Sequence, residues 1–360
     1  MNEEELLAVR QRIDALDEQI QALINERAAL AQEVARVKIA AGEEFNFYRA
    51  EREAQVLRMV LDRNQGPLAG EEMARLFREI MSACLALEQP LRVAYFGPAG
   101  SFTHAAALKQ FGGAVVGVPL AAIDEVFREV EAGSTDYGVV PVENSSEGVV
   151  NHTLDMFMRS GLRICGEVNL RVHHNLLSHA ASLVAVKRVY AHSQALAQCR
   201  EWLDANLSHA ERVPASNNAE GARLAAGESE SAAIAGSNAA QIYGLPALAQ
   251  NIEDNPANTT RFLVIGKRDV ASSGNDKTSL LVATRNKPGA LYQLLEPLAK
   301  NQVSMTRIES RPSRQGMWEY VFFLDIEGHA QDAKVAPVLQ QLEAEASLFK
   351  ILGSYPKAVI

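Results

Sequence analysis

The chain has 360 residues, 48% of them apolar and 22% charged, which suits a globular protein of two or three domains with sizeable cores. A net charge of −9 argues against a nucleic-acid partner, and no stretch approaches the 18 uncharged apolar residues of a membrane span. The acidic start Met1-Asn2-Glu3-Glu4-Glu5 lacks the cations and apolar run of a signal peptide, and Cys84, Cys165 and Cys199 lack the spacing of a disulfide framework or zinc site, so we expect a reduced, cytoplasmic protein.

The first helix, from about Glu3 to Lys38, carries Leu6, Val9, Ile13, Leu16, Ile20, Leu23, Arg27, Leu30, Val34 and Val37 at alternating steps of three and four. This is the seam of two packed helices, and a run of roughly 54 Å is longer than a compact domain covers alone. A homodimer follows. Arg27 is the one polar member of the seam; a lone arginine there sets register, but Lys38 lies three turns further in nearly the same direction. Arg10 is about 25 Å from Arg27 along the axis and reaches the same pocket only from an antiparallel partner chain. Residues 1–90 hold eleven Lys/Arg against seventeen Asp/Glu, so inward-facing cations point to a small anionic ligand.

Two shorter helices, Ala50 to Asn64 and Gly70 to Glu88, complete an all-α unit closed by Gln89-Pro90. From Leu91 short apolar strands alternate with turns and helices, which predicts an α/β domain with a largely parallel sheet. Four strand-to-helix joints stand out: Gly97 to Thr103, Glu143 to Gly148, His192 to Gln194 and Gly236 to Asn238. Ligands gather at such joints, although Ser and Asn there also serve as plain helix caps. The first joint lacks a P-loop ending, and the His173-His174 pair has no carboxylate or cysteine at ligand spacing, so we expect neither nucleotide, cofactor nor metal. The stretch Asn258 to Phe262 opens the last strand of this domain, and residues 268–277 read as a linker. The remaining segment, 278–360, reads βαββαβ, with the tight turn Asn286-Lys287-Pro288-Gly289-Ala290-Leu291 before its first helix.

Together the motifs resemble one family over essentially the full length, the bifunctional chorismate mutase/prephenate dehydratases of bacterial phenylalanine biosynthesis. The resemblance implies an all-α mutase domain at 1–90, a two-lobed dehydratase domain at 91–267 built like a periplasmic binding protein, and a ferredoxin-like ACT regulatory domain at 278–360. For chorismate it implies Arg27 and the partner's Arg10 on the carboxylates, Arg52 and Cys84 lining the pocket, Lys38 and Glu88 at the ether oxygen and Glu53 at the ring hydroxyl. Arg49, Cys84 and Glu88 depart from the best-known pattern, which has aspartate, serine and glutamine there. A carboxylate cannot donate a hydrogen bond, so Glu88 must be protonated to assist. For prephenate the resemblance implies Thr260 at the leaving hydroxyl, with Glu143 as a competing proton donor. Arg261, Asn144, Ser145, Ser101 and Thr103 hold carboxylates, and His192 stands by, followed by Ser193 where the family often has proline. Phenylalanine, the effector, is expected at Asn286, Gly289, Ala290 and Leu291, with Glu309 and Ser310 nearby. Two rivals are a non-catalytic small-molecule sensor, which leaves the cations of the first helix unexplained, and a dehydratase acting on arogenate.

Overall fold

The computed structural model describes residues 3–42, 48–284, 287–312 and 320–360. Three helices come first: α1 (Glu3–Ala40), α2 (Ala50–Arg63) and α3 (Gly70–Glu88). Only Ala35 of α1 is buried, and Leu16, Ile20, Leu23, Leu30 and Val37 on its seam are all more than half exposed. Helix α3 packs on both α1 and α2. Leu57, Val60 and Ala74 form a small core there, which Val359 and Ile360 from the far end of the chain complete.

The second unit opens with β1 (Arg92–Phe96), α4 (Phe102–Phe111), β2 (Val116–Leu120), α5 (Ile123–Ala132), β3 (Tyr137–Asn144), β4 (Gly148–Val149), α6 (Asn151–Arg159) and β5 (Arg163–Arg171). The chain then crosses into a second lobe. That lobe holds β6 (Asn175–Ser178), β7 (Arg188–Ala191), α7 (Ser193–Gln198), α8 (Arg200–Asn206), β8 (Glu211–Pro214), α9 (Asn218–Ala226), β9 (Ser231–Ala235), α10 (Ser237–Tyr243) and β10 (Ala247–Ala249). Strand β11 (Thr259–Gly266) returns to the first lobe.

Each lobe has its own sheet, ordered β2-β1-β3-β11-β5 and β10-β6-β9-β7-β8. The sequence led us to expect a largely parallel sheet, and this needs correcting. Only β1, β2 and β3 in one lobe, and β7, β8 and β9 in the other, pair in parallel; β11 runs antiparallel to both β3 and β5. The reason is connectivity. Strand β5 leaves for the second lobe and β11 comes back beside it, so the two must run in opposite directions.

The third unit is β12 (Asp276–Ala283), α11 (Ala290–Lys300), β13 (Met305–Pro312), β14 (Tyr320–Glu327), α12 (Ala336–Glu345) and β15 (Leu348–Pro356), the βαββαβ order read from sequence. Its sheet, β13-β14-β12-β15, has helices and a core of its own on one side. The other side shares a core with the second unit, where Leu281, Phe323, Leu352 and Tyr355 pack among Val142, Phe157, Ile164 and Leu263. Gly353 marks the closest approach: a Cβ there would lie 2.2 Å from the carbonyl oxygen of Ile164. No side chain fits between those two backbones. Gly353→Ala is therefore expected to cost about 1–3 kcal/mol in chemical denaturation. Unchanged stability would show that β15 does not press on β5.

Candidate active sites

In the helical unit, Glu88 lies within electrostatic reach of two cations of α1. Burial raises its pKa, and Lys38 and Arg27 oppose that rise through their charge. Helical spacing accounts for the grouping, since Arg27 and Lys38 share a stripe of α1 and Glu88 ends the neighbouring α3. Cys84, one turn before Glu88, is buried. Arg10 is exposed near the other end of α1, and Arg52 is exposed on α2. Arg49 pairs with its neighbour Glu51.

Glu53 corrects an expectation. It pairs with the buried Arg78 at 3.2 Å, and burial pushes its pKa up against the pull of that arginine. It lines a small cavity with Gln110, Glu167 and Pro356, facing the other two units. Arg78 is 7% exposed, and a buried guanidinium requires a counter-charge.

In the second unit a cavity of about 680 Å³ opens between the lobes. Ser101 and Thr103 line it from the first lobe; His192, Gln194 and the run Ser216-Asn217-Asn218 line it from the second. Ser101 also caps α4 by accepting from the His104 amide, and His192 caps α7 while its own amide donates to Asn218. The capping reading and the cleft reading therefore hold together at both joints.

At the end of β3, Asn144 Oδ1 accepts from the amides of Ser146 and Glu147, which fixes the orientation of its side-chain amide. Its nitrogen donates at 2.8 Å to Thr260 Oγ1 and at 2.8 Å to Asn258 Oδ1. Ser145 Oγ accepts from the Thr259 amide at 3.0 Å, tying the turn after β3 to the start of β11. Since Thr260 accepts from Asn144, its own proton is free to be given elsewhere.

Arg261 and Glu143, expected at this site, are not there. Successive residues of a strand point to opposite faces, so Arg261 turns away from Thr260. It meets Glu167 at 2.9 Å, Asp325 of β14 and the Tyr355 hydroxyl of β15. Burial disfavours its charge, yet Tyr355, Asp325 and Glu167 together raise its pKa. Glu167 also accepts from Lys277 and from the Ala358 amide. Glu143 is the partner of Arg261 in β11 and alternates with Asn144, so it turns to the same face as Arg261; a β-bulge lies next to it at Val142, since Pro141 faces Phe262. Its carboxylate accepts from Arg307 of β13 at 2.8 Å.

In the third unit, Gly289 takes a left-handed φ of 77° ahead of α11, a conformation that suits glycine. Beside the turn is a cavity of about 430 Å³ lined by Thr284, Lys287, Ala290, Gln293 and Leu294. Leu291 follows on the first turn of α11, 37% exposed, and Asn286 lies outside the described residues. Alternation along β13 separates Glu309 from Ser310. Glu309 shares the face of Arg307 and Arg311, which reach Glu143 and Asp155 in the second unit, and Ser310 is exposed on the other face. Glu309 and Ser310 therefore do not share one face of β13.

Sequence reading missed Asn258, Gln198, Arg307 and Asp325. Asn258 adjoins Thr259-Thr260 and was signalled by position alone. The others have no local signal, because their partners lie 24 or more residues away.

Comparison with known proteins gives a consistent result. Residues 9–89 match the type II chorismate mutase family, residues 93–270 the prephenate dehydratase family and residues 278–344 the ACT domain. Over 361 residues, 99% of each chain, the sequence is 59% identical to the bifunctional chorismate mutase/prephenate dehydratase of Stutzerimonas stutzeri. It is 32% identical to the protein of the same name from Escherichia coli K12, covering 99% of this chain and 97% of that one. Among solved structures, the prephenate dehydratase of Arthrobacter aurescens in complex with L-Phe superposes with a TM-score of 0.68 at 35% identity, over 74% of this chain and 90% of that one. The quorum-quenching acylase GqqA superposes with a TM-score of 0.69 at 30% identity, over 74% and 98%.

The buried ion cluster yields a stability prediction. Removing one partner of a buried pair strands the other charge, so Arg261→Met is expected to cost about 3–5 kcal/mol in urea unfolding. A loss below about 1 kcal/mol would show that Glu167 and Asp325 do not depend on it.

Proposed function

The chain belongs to the bifunctional chorismate mutase/prephenate dehydratase family, and from that premise we propose which of its residues carry the two reactions and their control. The enzyme rearranges chorismate to prephenate, then converts prephenate to phenylpyruvate. In our reading it does so in the cytoplasm as a homodimer, because the exposed seam of α1 is matched by a second, antiparallel copy.

The mutase site is Arg27, Lys38, Cys84 and Glu88 of one chain with Arg10 of the other; Arg52 reaches the pocket only from its exposed position on α2. The rearrangement breaks the ether C–O bond as a C–C bond forms, with no nucleophile involved. Arg27 and Arg10 hold the two carboxylates so that the enolpyruvyl arm lies over the ring. Lys38 and protonated Glu88 donate to the ether oxygen as it gains charge. The grouping of Lys38 and Arg27 around a Glu88 whose pKa is raised supports this reading.

In the dehydratase, the ring carboxylate leaves as carbon dioxide, its C–C bonding pair completes the aromatic ring, and the ring hydroxyl departs with a proton as water. The observation that carries the proposal is Thr260, held as an acceptor by Asn144 with its proton free for the leaving hydroxyl. Asn144, Ser145, Ser101 and Thr103 receive the substrate carboxylates, with His192 across the cleft. Arg261 and Glu143 face the ACT domain and take no part in the chemistry. Phenylalanine binds the ACT domain beside Gly289, Ala290 and Leu291 and inhibits; a coupling of about 1–3 kcal/mol suffices.

Supplied with chorismate, Thr260→Val is expected to accumulate prephenate, with phenylpyruvate formation down at least about 100-fold. Normal phenylpyruvate formation would refute the assignment. Arg10→Ala should do the converse, losing chorismate turnover while converting added prephenate at the normal rate. A parallel loss of both activities would mean that Arg10 serves the fold.

Glu88 gives a pH prediction. Its raised pKa keeps the proton to higher pH than an exposed glutamate would, so mutase activity is full below that pKa and falls as pH rises through it. Glu88→Gln keeps a donor at every pH and should flatten the decline. An identical pH profile in the variant would sink the idea.

A further inference from the structure

The two lobes are joined by two connections, 172–174 outward and 250–258 returning, and these are bonded to each other. The Val172 amide donates to Asn258 O at 2.9 Å and the Ile252 amide to His174 O at 2.8 Å. The buried Glu253 carboxylate meets His173 Nδ1 and the His174 amide, both at 2.8 Å. Within this hinge Asn258 is 2% exposed and His174 is 1% exposed. Beside them, Gln198 ends α7 of the second lobe.

These three side chains form one line that ends at Thr260. Because Asn144 Oδ1 is claimed by two backbone amides, its nitrogen must be the donor to Asn258, and Asn258 must present oxygen to it. Asn258 then offers its nitrogen to Gln198 Oε1 at 3.3 Å. That same oxygen takes the Nε2 proton of His174 at 2.9 Å, and burial lowers the pKa of His174 and so favours its neutral form. Each member has one orientation consistent with the next. Gln198 Nε2 and His174 Nδ1 are buried with no partner among the described residues, so both side chains are aligned along the line at the expense of their other ends. His174 also touches the edge of Phe102, whose ring lines the cleft.

We propose that Asn258, Gln198 and His174 are positioning residues of the dehydratase, a hinge-borne line of hydrogen bonds that aims the Thr260 hydroxyl when the lobes hold their closed angle. The inference rests on the reading of Thr260 given above. Asn144 has only one nitrogen for Asn258 and Thr260. If Asn258 turns over, two N–H groups face each other and Asn144 shifts away from Thr260. Gln198 comes from the second lobe, His174 and Asn258 from the hinge, and Asn144 and Thr260 from the first lobe, so lobe closure and hydroxyl orientation become one event.

The test compares Gln198→Leu and Gln198→Glu with Thr260→Val, measuring kcat and KM on prephenate, with mutase turnover and melting temperature as folding controls. Leucine keeps the volume and removes the acceptor, so kcat should fall about 10-fold or more with KM within about twofold. Glutamate still offers one oxygen to both Asn258 and His174, so it should restore most of kcat. Wild-type kcat in Gln198→Leu alongside an inactive Thr260→Val would overturn the proposal, as would equal losses in the leucine and glutamate variants. An active Thr260→Val would instead overturn its premise. Should Gln198→Leu fail to fold, Asn258→Ala carries the same test: a comparable kcat loss supports the proposal and a wild-type kcat overturns it.

Discussion

The antiparallel pairing of β3 with β11 determines where the residues proposed for the dehydration and those that meet the ACT domain lie. One face of that ribbon carries Asn144 and Thr260 into the hinge of the dehydratase domain; the other carries Glu143 and Arg261 against the ACT domain. Strand alternation separates Thr260 from Arg261 on β11 and, in matching register, Asn144 from Glu143 on β3. Two adjacent strands thus hold the residues proposed for the reaction and the contacts with the ACT domain on opposite faces.

The ion cluster behind Arg261 extends this connection to the rest of the chain. Glu167, almost wholly buried on β5, binds Arg261 of β11, Lys277 of β12 and the amide of Ala358, while Asp325 binds Arg261 and Ser279. Buried charges of this kind add little net stability, but each missing partner is costly, so they favour one arrangement over its neighbours. The residues just past Ala358, Val359 and Ile360, pack into the core of α2 and α3. The C-terminus of the ACT domain therefore belongs to the mutase domain's packing, and Arg58 on α2 returns the contact by donating to the carbonyl of Ser273.

Much of this organisation was legible in the sequence because it rests on local patterns. The three-four spacing of α1, the βαββαβ order of the last domain and the polar joints after apolar strands are all written within short windows. Residue motifs also named Thr260, Asn144 and Ser145, and hydrogen bonds join Asn144 to Thr260 and Ser145 to Thr259. The expectations for Arg261, Glu143 and Glu53 failed for a common reason. Each sits beside a residue proposed for a site, or in a motif that names one, and which way it points depends on strand parity or a buried counter-charge from another domain. Gln198 and His174 were illegible as members of the site for the same reason, since the hinge that joins them to Asn258 exists only once both lobes have folded.

The central claim is that the ACT domain acts on the dehydratase through side chains on the back of β3 and β11. A double-mutant cycle on Glu143 and Arg307, 2.8 Å apart, tests it most directly, with the phenylalanine concentration that half-inhibits the dehydratase as the readout. The account predicts that Glu143→Gln and Arg307→Met each weaken inhibition and that the double variant is no weaker than either alone, a coupling of about 1–3 kcal/mol. Wild-type inhibition in both single variants, or losses that simply add, would contradict it.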